Sequence, residues 1–314
     1  MQEDVKKKYS LDCYIARFIP NISRFHNNPS REHCLVNRSQ LNKIGGNLFR
    51  QIRIERPTAN GMTLALYTVI DVHDEEPDAV FVGYKNPEDL HDRLELSHTN
   101  PFTGRVNTQV AAVDLSYAEA ESNSEFIEDV DDNGHNREVV VIAPHGGHIE
   151  KYTDKQAERV GKQLSSKYVS EWICRGFKQG GGAFDRWHIT STDINEDSFP
   201  KLKTIIGRQF EYSVAFHGWD HDSICIGGLM PPDMKHQFKT AIMNAVSGSG
   251  IVVAKDDDID GTCSENFNGS HPKNIVNRLS AKSLHIEQSS KARTHFGIQI
   301  ADAVAGVLGS MIRV

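Results

Sequence analysis

The sequence predicts an α/β protein: a mixed sheet flanked by helices, preceded by a small β-barrel-type domain. Three observations carry this prediction. Before residue 118, short runs alternate apolar and polar residues between turn-rich breaks. After residue 137, short continuous apolar runs alternate with helical patterns, as expected for strands buried on both faces. Between the two lies an acidic, polar stretch poor in large apolar side chains, YAEAESNSEFIEDVDDNGHNR (117–137). The expected organisation is therefore a β-rich domain over 1–118, an acidic linker over 119–136 and an α/β domain over 137–314.

In the first part, LFRQIRIER (48–56), MTLALYTVIDV (62–72) and AVFVGY (79–84) read as strands, separated by PTANG and DEEPD. HCLVNRSQLNKIGG (33–46) reads as a strand followed by a short helical turn ending on glycine. LNKIGGNLFRQIRI resembles a double-psi barrel segment.

In the second part, REVVVIAP (137–144) is a buried-type strand. Thr153 to Gln156 has the form of a capping box, opening a helix on which Ala157, Val160, Leu164 and Tyr168 recur at helical spacing. Buried-type strands are expected at WHITST (187–192), YSVAFH (212–217), SICIGG (223–228), GIVVAK (250–255) and SLHIEQ (283–288). Pro231 and Pro232 open a helix with Met234, Phe238, Ala241 and Ala245 on one face. FGIQIADAVAGVLGSMI (296–312) reads as an apolar core helix.

Composition narrows the function classes. Hydrophobic residues make up 38% and charged residues 25% of the 314-residue chain, ordinary values for a globular protein. No apolar run reaches the ~18 residues of a membrane span. The N-terminal MQEDVKKKYSLDCYIARFIP lacks the apolar core and cleavage site of a signal peptide. A cytoplasmic protein is expected, with release by lysis left open. The net charge is -7, with 35 Lys+Arg against 42 Asp+Glu. Residues 137–314 hold 21 basic and 20 acidic residues, which leaves 14 and 22 for 1–136. Neither part has the basic excess of general nucleic-acid binding. The five cysteines are Cys13, Cys34, Cys174, Cys225 and Cys263. Their odd number and lack of CxxC spacing argue against a disulfide framework and a cysteine-rich zinc site, so each reads as a small apolar filler.

Sites in open α/β sheets form beyond the carboxyl ends of strands. Three predicted strands end on metal-type or acid–base residues: HGGHIE with His145 and Glu150, HGWD with His217, and HIEQ with Glu287. Zinc favours imidazole and carboxylate ligands and keeps one position open for water at a catalytic site. His145, Glu150 and His217 supply such a set, and Gly146 and Gly147 allow the turn that brings the first two together. A carboxylate not bound to metal, Glu287, suits a general base. Taken singly, each has a plainer reading. HGG is compatible with a simple turn, His217 with a satisfied core histidine, and Glu287 with pairing to Lys291 or Arg293. The acidic run Asp256, Asp257, Asp258 and Asp260 lacks the glycine and distal glutamate of a calcium loop and reads as a solvated loop.

IAPHGGHIE (142–150), WHITSTDINEDSFPKL (187–202), FHGWD (216–220) and HIEQSSKAR (285–293) together resemble the poly-γ-glutamate hydrolases of phages and bacilli. The four blocks occur in the family's order and cover residues 137–314. The resemblance implies a carboxypeptidase-like α/β fold with one zinc ion. It implies His145, Glu150 and His217 as ligands and Glu287 as the catalytic carboxylate. His148 falls on a variable position and is not counted. Residues 1–118 lie outside the resemblance as an added module of unknown partner.

The expected activity is zinc-dependent amide hydrolysis, with an anionic γ-glutamyl polymer or small γ-glutamyl amide as substrate. Arg186, His188 and Arg293 are candidates to stabilise the oxyanion or grip a substrate carboxylate; their alternative is surface ion pairing. Ser191 and Thr192 either bind substrate or end the strand. Two rival functions remain: an aspartoacylase-like amidohydrolase of small N-acyl amino acids, and a zinc-containing binding or scaffold protein whose working part is the N-terminal barrel.

Overall fold

The computed structural model describes residues 13–20, 31–59, 61–83, 93–94, 101–165, 167–258, 263 and 267–312. Residues 1–12 of the N-terminal stretch, Tyr84 and Asp260 lie outside them. The chain forms two compact units, Met1–Ile127 with Gly176–Pro200, and Glu128–Arg175 with Lys201–Val314.

The first unit contains a closed barrel of β1 (Cys13–Pro20), β2 (His33–Asn37), β3 (Gln51–Thr58), β4 (Gly61–His73), β5 (Ala79–Val82) and β6 (Phe102–Asn107). Their order around the barrel is β1-β5-β2-β4-β3-β6. β1–β5 and β2–β4 pair in parallel, while β3 pairs antiparallel to β4 and β6. Alternate residues fill the interior, including Phe18, Val36, Ile52, Ile54, Tyr67, Val69 and Val106. After β2 the chain enters a 3-10 turn, Arg38–Ile44, that ends on Gly45 at φ 95°. This is the strand, turn and glycine expected from 33–46. β1 and β6 were not among the expected strands.

Two regular elements lie within the acidic stretch 117–137. Tyr117–Ser122 is a helix closed by a capping box between Ser116 and Glu119, and β7 is Phe126–Asp131. Several acids there have internal partners. Glu125 takes a two-pronged contact from buried Arg53, at 2.7 and 3.0 Å. Glu128 accepts from Trp172 Nε1 at 2.9 Å.

The second unit is built on a seven-stranded sheet. It adds β8 (Val139–Gly147), β9 (Val169–Gly176), β10 (Tyr212–Phe216), β11 (Ser223–Gly227), β12 (Val252–Lys255) and β13 (Ser283–Gln288) to β7. The order is β12-β11-β13-β10-β8-β9-β7. β8, β10 and β13 run parallel side by side, and β11 is antiparallel to β13. Three long helices cover the sheet: α1 (Thr153–Leu164), α2 (Pro232–Ala245) and α3 (Ser290–Met311). Val141, Val214, Ile226, Ile286, Phe238, Ile300 and Val304 join in one core. The fold is thus mixed α/β with an N-terminal barrel.

Several expectations need correction. Thr153 caps nothing: Tyr152, at φ 77°, is the N-cap residue of α1 and makes no side-chain cap bond. The Thr153 hydroxyl instead donates to the Glu150 carbonyl at 2.9 Å, because the chain turns sharply out of the HGGHIE segment. Helix α1 ends at Leu164, so Tyr168 lies in the turn before β9, a strand not expected from the sequence. Residues 187–192 form no strand. Trp187 ends a short helix, Ala183–Trp187, and its indole donates to the Phe177 carbonyl at 2.7 Å. The next residues are held in turns by side chains, with the Thr190 amide donating to Glu32 at 2.9 Å. The β-branched Ile189, Thr190 and Thr192 imitated a strand where, among the described residues, no neighbour supplies a ladder.

The cysteines also differ from expectation. Cys34 and Cys174 are buried and free, as fillers would be. Cys225 and Cys263 form a disulfide across 38 positions, with Cα atoms 5.3 Å apart. An odd total excludes only complete pairing, and sequence spacing does not report proximity in space. The acidic run is ion-paired where described: Asp256 with Lys235 at 2.6 Å, Asp257 with Lys255 at 2.8 Å and Asp258 with Lys239 at 2.5 Å.

Candidate metal centre

Three adjacent parallel strands deliver the chemistry-bearing residues to one edge of the sheet. β8 carries His145 near its carboxyl end, β10 runs into His217, and β13 carries His285 and Glu287. Phe216 pairs with Ile286, so His217 and Glu287 are the next residues on neighbouring strands. Beyond His145 the chain must double back to bring Glu150 alongside. Gly147 makes that turn at φ 69°, and a side chain on Gly146 would meet Asp154 at 2.6 Å and the Cys174 carbonyl at 2.8 Å. The Glu150 amide then donates to the His145 carbonyl at 2.8 Å.

The result is a tight triangle of buried donor atoms. His145 Nδ1 lies 3.1 Å from Glu150 Oε1 and 3.2 Å from His217 Nδ1. His217 Nδ1 lies 3.4 Å from Glu150 Oε2. That oxygen also accepts the Gly218 amide at 2.9 Å. Ligands about 2.0–2.1 Å from a tetrahedral zinc ion stand about 3.4 Å apart. Two imidazole nitrogens and a carboxylate at these separations therefore fit a small divalent ion. The electrostatics agree with such a donor set. Burial opposes the charge on Glu150, but the imidazoles of His145 and His217 hold its carboxyl well below the usual carboxylate range. Burial, then repulsion from His285, lowers the pKa of His217, which favours the neutral ring with a lone pair to offer.

Glu287 stands beside this triangle with one oxygen engaged. Its Oε1 is 3.0 Å from His285 Nε2, while buried Oε2 finds no hydrogen-bond partner among the described residues. His285 in turn packs its ring against His217, centroids 4.4 Å apart. The sequence reading passed over His285. Its signal was there, since 285 and 287 share one face of a strand.

Arg293, from the first turn of α3, also reaches this edge. Its guanidinium donates to the Gln288 carbonyl at 3.3 Å and the Lys151 carbonyl at 3.0 Å. Gly218 leaves it room: a Cβ there would lie 2.3 Å from the guanidinium carbon. Burial pushes the Arg293 pKa below its ordinary value, while Glu150, Glu287 and Asp220 pull it upward. Gln288 and Gln156 exchange amide bonds at 2.8 and 2.9 Å and tie α1 to β13.

Arg186 and His188 belong to the first unit. Arg186 is buried in the short helix, and its carbonyl accepts from Arg93 at 3.1 Å. His188 Nδ1 contacts Glu32 at 2.5 Å. Burial opposes charge on Glu32, but His188 and Arg93 hold its carboxyl well below the usual range. Ser191 and Thr192 lie in the turn that follows.

A family model described as poly-gamma-glutamate hydrolase matches residues 114–302, more than half of the 314-residue chain. Among solved structures, a bacteriophage poly-gamma-glutamate hydrolase is 22% identical at a TM-score of 0.45, over 62% of this chain and 95% of that one. A zinc-free apo form of YndL is 22% identical at a TM-score of 0.46, over 63% of this chain and 97% of that one. A protein described only provisionally as a carboxypeptidase, from Burkholderia mallei, is 10% identical at a TM-score of 0.38, over 95% and 96%. No curated protein matches the chain significantly.

Proposed function

From the premise that this chain belongs to the poly-γ-glutamate hydrolase family, we propose that it cleaves γ-glutamyl amide bonds with a zinc ion held by His145, Glu150 and His217. One observation carries the reading: the buried convergence of two Nδ1 atoms and a carboxylate within 3.1–3.4 Å. Bound there, zinc supplies Lewis-acid polarisation of the scissile carbonyl and of water.

The chain's own residues supply the rest. Glu287 Oε2 takes a proton from the attacking water as the C–O bond forms, and returns it to the departing amine as the C–N bond breaks. His285 donates Nε2–H to Oε1 and so keeps Oε2 turned toward the water. Arg293 places positive charge near Glu150 and Glu287, where a substrate carboxylate or developing oxyanion is received. Glu150 Oε2 accepts the Gly218 amide and Oε1 stands among the imidazole nitrogens, so Glu150 acts as a ligand and not as a base.

The test is incubation of poly-γ-glutamate with zinc-loaded protein, followed by chain length. Progressive shortening, abolished by chelation and restored by zinc, is expected. An unchanged polymer, with release of acyl groups from small N-acyl amino acids, would transfer the site to the aspartoacylase-like reading.

A further inference from the structure

A groove of about 560 Å³ runs between α1 and α3 and opens beside Arg293. Its lining is unlike the rest of this unit, which holds acids and bases in near balance. Lys155, Arg159 and Lys162 come from one face of α1, and Arg293 and His295 from the start of α3. Glu158 is the single carboxylate among the lining residues. That charge is shared with a cation outside the groove, since buried Arg175 contacts Glu158 at 2.6 Å while Lys155 stands 3.3 Å away. Arg159 pairs with Asp302 at 2.6 Å but remains partly exposed. Lys155 and Lys162 are exposed.

The groove and the edge that carries the candidate centre share Arg293. Arg293 lines its upper end and reaches the Lys151 carbonyl, one residue after Glu150. From Tyr152 to Lys162 the lining descends α1 by about 15 Å, at about 1.5 Å per residue. Both helices begin at the active edge, so their N-terminal partial positive charges add to the field there. Thr294 and Gln299 add polar side chains to the lining.

We propose that this groove is a second binding site, which takes the side-chain carboxylates of a polycarboxylate chain on one side of the bond being cleaved. The proposal rests on the γ-glutamyl reading above. Point charges spaced along an open groove suit a repeating anion better than one small acid, which Arg293 alone can hold. Lys155, Arg159 and Lys162 therefore act on affinity for long chains, through a salt-sensitive term, and leave the chemical step untouched.

The test uses fluorescent poly-γ-glutamate titrated with the full-length, zinc-loaded Glu287→Gln protein, which holds the polymer without turnover. Adding Lys155→Glu and Lys162→Glu is expected to weaken binding about five-fold or more at low salt and to flatten its salt dependence. In the Glu287 background, the same two changes should leave turnover of a short γ-glutamyl dimer within about two-fold of the parent, which also shows that the fold survives. Equal affinity and equal salt dependence in the two proteins would overturn the proposal. Failure of the parent protein to shorten the polymer would instead sink the γ-glutamyl reading, and the binding titration would still decide the groove.

Discussion

Glu287 and His285 leave the same face of β13 and meet at 3.0 Å, Oε1 to Nε2, while Oε2 has no hydrogen-bond partner among the described residues. A base held by one oxygen has its second oxygen aimed. His285→Ala is expected to lower kcat about 10- to 100-fold with KM within about two-fold. His285→Gln, whose amide reaches where Nε2 stands, should recover part of the loss. A purely structural role for His285 would give no such split and no selective rescue.

Glu287→Gln keeps the shape and removes the base. Its kcat should fall by about 10²–10⁴ while zinc content stays at the parental level. Near-parental turnover with zinc bound would reassign the base.

The candidate centre was legible because its residues sit at strand ends, and continuous apolar runs announced those strands. VVVIA, YSVAF and SLHI are buried on both faces and lie next to one another as β8, β10 and β13. His285 was less legible: inside a strand it looks like any buried polar residue, and only the neighbouring His217 ring and Glu287 give it a role. Residues 187–192 misled because a short run rich in β-branched residues is shared by strands and by turns pinned through side chains, here through Glu32. The Cys225–Cys263 link and the closure of β1 onto β5 and β6 depend on distant pairing, which local pattern does not encode.

Glu171 predicts a pH effect on stability. Burial, reinforced by Asp131 and Glu158, pushes its carboxyl from the ordinary 4.5 up to about 7. The folded state thus binds the proton more tightly than the unfolded state does. The stability from this group is present below pH 4.5 and is lost as pH rises through about 7. Glu171→Gln should stabilise the protein by about 1 kcal/mol at pH 8, discounted for partial exposure, and have little effect near pH 4. Denaturant titrations at the two pH values check this; an equal gain at both contradicts it.

Cys225 pairs in register with Glu287, so the disulfide anchors its loop one strand away from the base. Closing a 38-residue separation is worth roughly 4 kcal/mol at most by loop entropy. Cys263→Ser should therefore lower the thermal midpoint, and a thiol reductant should reproduce that drop in the parent but not in the variant. Equal sensitivity of both proteins to reductant would count against the link.

The central claim is that His145, Glu150 and His217 hold the catalytic metal, and anomalous diffraction at the zinc edge tests it most directly. The predicted result is one strong peak about 2.0–2.2 Å from a nitrogen of each histidine and a Glu150 oxygen, lost in His217→Ala crystals of unchanged fold. A peak held by other residues, or none in zinc-soaked crystals of the active protein, would contradict it.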